Sequence, residues 1–176
     1  MKSRLDTRVL VLLSLIVGIG AVLHIFAPPI VNGMKPDMLL IMMFLGIILF
    51  PKFQYVMLLS LVTGAIAALT TGLPGGQIAN LIDKPLTALV AFGIVLAAGK
   101  FINRKVLAAS VTLVGTLISG AIFLFVAVNI IGLVEGSFMI MYATIVLPTA
   151  AFNTVAMTVI YPIVEKISKR SRIATA

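Results

Sequence analysis

Cysteine is absent from this 176-residue chain, and so is tryptophan. The first absence excludes disulfides, thiol catalysis and cysteine-ligated metals. The second leaves any aromatic belt to three tyrosines and some of the ten phenylalanines. Histidine occurs once, as His24, so a metal site lacks a second strong ligand. There is no HExxH, no serine elbow and no second histidine to serve a nucleophile. The segment TGLPGG is not followed by Gly-Lys-Ser/Thr, which rules out a P-loop. Neither an enzyme nor a cofactor-binding protein is expected. Acid is scarce too, with five Asp and Glu against thirteen Lys and Arg.

What is abundant is apolar. Hydrophobic residues make up 61% of the chain and charged ones 10%; a soluble domain is nearer half apolar. The mean hydropathy is +1.24. A spanning helix takes about 20 apolar residues, which leaves room for roughly six spans and no soluble domain. The expectation is an all-α integral membrane protein, one transmembrane domain over 1–176. Its helices fall at about 9–27, 36–50, 55–71, 85–99, 106–133 and 138–164. The first apolar run is followed by Pro28-Pro29 instead of a small-residue cleavage site, so it reads as the first span and not a signal peptide.

The net charge of +8 does not point to nucleic acid, because the basic residues sit in short clusters between apolar runs. With six spans, every Lys and Arg except Lys35 and Lys84 falls on one side of the bilayer. The positive-inside rule makes that side, with both termini, cytoplasmic. The partners expected are therefore a lipid bilayer and no nucleic acid.

Topology does not account for the two outer lysines. Each stands beside an acid and before a proline: Lys35 with Pro36 and Asp37, and Lys84 with Asp83 and Pro85. Read as helix starts, both places offer free backbone N–H groups and positive partial charge. A lysine there adds to the attraction for a carboxylate, while Asp37, Asp83 or Glu135 suits an ammonium. That combination fits a free amino acid, and transporters build sites at helix starts in this way. Gln77, Asn80, Asn153 and the Thr70-Thr71 pair add neutral hydrogen-bonding groups, and His24 joins them near the same outer end. The candidate substrate-binding set is Lys84, Asp83, Asn80, Gln77, Lys35, Asp37, Asn153 and His24. Ser14, Gly18 and Ala21 share one face of the first helix. Such small residues permit close approach of another helix, either within the bundle or from a partner subunit.

Several stretches resemble the bacterial tryptophan transporter family called TrpP: GAVLH (Gly20 to His24), GMKPDMLLIMMF (Gly33 to Phe44), ALTTGLPGGQIANLIDKP (Ala68 to Pro85), the VGT and SG pairs of the fifth helix, and LPTAAFNT with IYPIV near the end. The resemblance covers essentially the whole chain. That family is similar to the substrate-binding S components of energy-coupling-factor (ECF) transporters. The resemblance implies a multi-pass protein of the bacterial cell membrane that captures L-tryptophan from outside. It also implies a membrane coupling subunit and two ATPase subunits as partners, with the first helix docking to the coupling subunit. The alternatives are a self-sufficient secondary amino-acid transporter, an S component for another small nutrient, and a structural membrane protein with no small ligand.

Overall fold

The computed structural model describes residues 5–27, 36–73, 75–132 and 137–170, with side chains as far as 167. The described residues form six membrane-crossing helical runs. The first is α1 (Thr7–Phe26). Asp6 caps it by accepting the Arg8 N–H at 2.9 Å, and the Asp6 N–H donates to the Tyr55 hydroxyl at 2.9 Å. That bond holds the start of α1 beside the start of α3 (Phe53–Thr70).

The second helix, α2 (Met38–Leu49), is the axis of the fold. Every residue from Leu39 to Leu49 is buried. A helix that is apolar all round is a buried helix, and α1, α3, α4, α5 and α7 all pack on this one. Its 12 residues rise about 18 Å, well short of a bilayer core of about 30 Å. The length is tolerated because its neighbours, not lipid, surround it. The helix starts at Met38, and Asp37 is its N-cap, accepting the Leu40 N–H at 2.9 Å. Pro36 lies just outside instead of in the first turn.

The fourth helix departs furthest from the sequence reading. The stretch before Pro85 reads as loop, but α4 runs Gly76–Ala98 with Pro85 inside it. Gly75 turns the chain into the helix at φ +75°, a backbone state that glycine adopts without steric cost. An interior proline removes one backbone hydrogen bond, which packing of neighbouring helices makes tolerable in membranes. Here α4 is flanked along its length by α3 and α5. Asp83 and Lys84 are therefore two turns inside the helix, not at its mouth, and the helix-start anion site expected at Lys84 does not form.

The fifth crossing is α5 (Arg104–Phe125), continued by a π-helical segment, Val126–Ile131. The sixth begins with α6 (Phe138–Met141), widens into a second π-helical segment, Tyr142–Val146, and continues as α7 (Leu147–Arg170). Pro148 is the second residue after that second segment. A proline has no N–H to close the preceding turn, and a wider turn is one way the helix absorbs the loss. The Thr144 and Thr149 hydroxyls donate to the carbonyls of Ile140 and Ile145, both at 2.8 Å, which helps satisfy this stretch. Five of the six runs are long and apolar enough to span a bilayer, and α2 is the shorter sixth.

Lipid tails are as apolar as leucine, so helices in a membrane associate through close packing and not by escaping water. Gly115 of α5 shows this. A Cβ built there would run into the Phe44 ring of α2. We expect Gly115→Val to lower stability by about 1–3 kcal/mol, the range for overpacking. Thermal unfolding in detergent would show it as a fall in Tm, while Gly93→Ala, at a position open to space, leaves Tm nearly unchanged.

Candidate functional site

A cavity of about 550 Å³ opens where α1, α3 and α5 end and α2, α4 and α6 begin. Its size falls within the range of small-molecule sites. The lining has two characters. One wall is polar, with His24, Asp37, Asn80, Asp83, Lys84, Thr116 and Ser119; the other carries Phe123, Leu124, Met141, Ile145 and Val146. The two π-helical segments flank the apolar wall, a placement such segments often have at functional sites.

At the base of the polar wall, Lys84 stands between two carboxylates. Its Nζ donates to Asp37 Oδ2 at 2.8 Å and to Asp83 Oδ2 at 3.0 Å. Asp83, fully buried, also accepts from the Thr87 hydroxyl at 2.7 Å and the Ser119 hydroxyl at 2.7 Å. Its partners thus lie on α4 and α5, and it is fully occupied. Asp37 differs, since 23% of its side chain is exposed. One of its oxygens caps α2 and the other takes Lys84. His24 Nδ1 lies 3.7 Å from Asp37 Oδ1, too long for a hydrogen bond, and has no partner among the described residues. The cluster thus gathers two carboxyl groups, the Lys84 amine and the His24 imidazole.

Asn80 lies one turn before Lys84 on the same face of α4. Its Nδ2 donates to the backbone carbonyls of Gly76 at 3.0 Å and Ala67 at 3.4 Å, bracing α4 against α3. The other sequence candidates fall elsewhere. Gln77 is exposed and does not line the cavity. Asn153 is buried between α7 and α5, where its Nδ2 donates to Thr116 Oγ1 at 3.3 Å, behind the cavity wall. Lys35 and Glu135 lie outside the described residues. Ser14 and Gly18 of α1 face outward, away from the cavity, and Ala21 is half-buried against the core.

Sequence reasoning did not find the roles of Thr87, Thr116 and Ser119. A signal was present: Thr112, Thr116 and Ser119 recur at spacings of four and three, a polar stripe along one face of an otherwise apolar helix. That face is where Asp83 and Asn153 find their hydroxyl partners.

Removing Lys84 leaves the fully buried Asp83, with the Asp37 carboxylate close by, without its cation. Breaking a buried ion pair in this way costs about 3–5 kcal/mol. We expect Lys84→Met to be severely destabilised or to fail to accumulate in the membrane, with folded yield and Tm in detergent as the readout.

Residues 6–169 match the family described as Tryptophan transporter TrpP. A probable tryptophan transport protein of Bacillus subtilis (strain 168) is 50% identical over 168 residues, covering 95% of this chain and 96% of that protein. Probable tryptophan transport proteins of Clostridium perfringens and Clostridium acetobutylicum are each 37% identical, covering 97% and 93% of this chain and 98% and 95% of those proteins. No solved structure matches the chain. Matched to the family along nearly its whole length, and built of membrane-crossing helices around a polar-based cavity, the chain belongs to the tryptophan transporter family TrpP: it is a multi-pass bacterial membrane transport protein and not an enzyme.

Proposed function

We propose that this protein takes up tryptophan, binding the free amino acid in the cavity between Asp37, Lys84 and the apolar wall. The observation that carries the reading is the pairing of a partly exposed carboxylate, Asp37, with the Lys84 ammonium at the cavity base. A zwitterion brings one charge of each sign to that pair. The ligand ammonium goes to Asp37, the accessible carboxylate of the cluster. The ligand carboxylate goes to Lys84, which has three N–H donors and spends two of them on Asp37 and Asp83. Asp83 acts as a brace that aims Lys84. The aromatic side chain rests on Phe123, Met141 and Ile145. The positive-inside argument puts both termini in the cytoplasm and the cavity mouth outside, because the mouth lies at the end of the bundle opposite Arg8, Lys52 and Arg104.

The protein then serves as the substrate-binding subunit of an ECF-type transporter, working with a membrane coupling subunit and ATPases. The outward face of α1 supports this. Gly20 packs against Met42 of α2, whereas a Cβ at Gly18 would meet nothing within 4 Å. One face of α1 is thus committed to the bundle, and the small residues Ser14 and Gly18 are left outside it.

The chain has no tryptophan of its own, so selective excitation reports the ligand alone. Saturable fluorescence of L-tryptophan with the purified protein is the expected result. Asp37→Asn should weaken it by about 1.5–3 kcal/mol, the range for a charged hydrogen bond, or roughly 10- to 150-fold in Kd. An unchanged Kd would remove Asp37 from the site. Lys84 is a poorer probe, since its loss also unfolds the protein.

Gly18→Leu should leave tryptophan binding intact and abolish co-purification with the coupling subunit and ATP-dependent uptake. Uptake by the protein alone in proteoliposomes, stopped by a proton ionophore and indifferent to ATP, would instead make it a secondary transporter.

A further inference from the structure

We infer that Asn80 reads the indole N–H of the ligand and is the residue that separates tryptophan from other large apolar amino acids. The inference rests on the tryptophan reading above and adds the group that recognises the ring. Indole nitrogen is a donor only, so recognition needs an acceptor at the wall that holds no better partner. The orientation of an asparagine amide is ordinarily a matter of assignment. At Asn80 the chemistry decides it. The two groups that receive its amide, the carbonyls of Gly76 and Ala67, can only accept. The nitrogen must therefore face them, and Oδ1 is held in the opposite sense. Among the described residues no donor reaches Oδ1, Asn80 lines the cavity, and Oδ1 is not one of the buried polar atoms left without a partner. What remains is an acceptor open to the cavity and fixed in direction by two backbone bonds.

Its position suits the ring. Asn80 and Lys84 are four residues apart on α4, so they stand about one turn apart on the same face, and both line the cavity. A ligand anchored by its α-carboxylate at Lys84 therefore has its side chain in the same cavity as Asn80. Other acceptors line the cavity as well. Asp37 already accepts from Lys84 and the Leu40 N–H, and a neutral His24 ring offers an acceptor only at the nitrogen that carries no proton. The Thr70 and Thr149 hydroxyls donate to the carbonyls of Ile66 and Ile145, and a hydroxyl rotates to donate or accept as the ligand requires. Such groups accept an indole but do not select one. A fixed carbonyl does, because a ligand lacking the N–H leaves it desolvated and unpaired.

The test compares L-tryptophan with 3-benzothienylalanine, in which sulfur replaces the N–H in a ring of nearly the same shape. Tryptophan binding is read by fluorescence and the analogue by displacement. We expect the wild-type protein to prefer tryptophan by about tenfold or more, from the cost of the unpaired acceptor. Asn80→Ala should reduce that preference to within about twofold, while Thr70→Val and Thr149→Val keep it. Equal binding of both ligands by the wild type overturns the inference. So does a preference that survives Asn80→Ala or that collapses in either threonine variant. If the wild type binds no tryptophan, the functional reading itself falls, a result distinct from tryptophan binding without discrimination. Should Asn80→Ala bind neither ligand, infrared difference spectra decide the matter, taken on 13C-asparagine-labelled protein in which Asn32, Asn103, Asn129 and Asn153 are replaced by Gln so that Asn80 alone carries the label. A side-chain carbonyl band shifted by tryptophan and not by the analogue supports Asn80, and equal shifts refute it.

Discussion

One ammonium held between two carboxylates organises this protein. Lys84 takes an oxygen from Asp37 on one side and from Asp83 on the other. Those contacts join the start of the central helix α2 to the middle of α4, and Ser119 extends the link to α5. Ion pairs buried in this way return little net stability, because desolvation consumes most of the attraction. Their loss is costly, however, and their geometry is specific. In a bilayer, where apolar burial gives helices no preference for one another over lipid, such a cluster sets which helices meet and in what rotation.

The rest of the architecture makes room for that cluster. α2 is short and wholly enclosed, and its N-cap Asp37 lines the cavity. α4 starts early, at Gly76, and carries Asn80, Asp83 and Lys84 down into that space on one face. The π-helical segment Tyr142–Val146 contributes Ile145 and Val146 to the apolar lining. Polar base and apolar wall are products of helix lengths and turn widths as much as of residue choice.

The paired charges at the cavity base connect this architecture to the proposed function. Two carboxylates around one ammonium present both signs of charge to the cavity, and Asp37 is the carboxylate that is partly exposed there. Meanwhile α1 divides its surface in two: Gly20 belongs to the bundle, and Gly18 is open. The cavity and the open face of α1 are therefore separate parts of the molecule.

The six crossings were legible in the sequence, because runs of about 20 apolar residues between charged clusters have no other stable home. Asp37, Asp83 and Lys84 also stood out in the sequence, because acid beside lysine on the side that should lack lysine is hard to explain by topology. What misled was composition before Pro85. Asn80, Asp83 and Lys84 look like loop residues when polarity is equated with water, yet they are helical and buried. Local sequence does not record that α3 and α5 stand on either side to support a helix there. Nor does it record that Thr87 and Ser119 satisfy Asp83, that Asn153 turns behind the wall, or that Gln77 faces away. The sequence by itself determined a six-helix membrane protein with a charged patch at one end, since hydropathy and charge sum along the chain. Which members of that patch touch was decided only by the tertiary structure, because hydrogen bonds act across about 3 Å and join residues as far apart in the chain as Asp37 and Lys84.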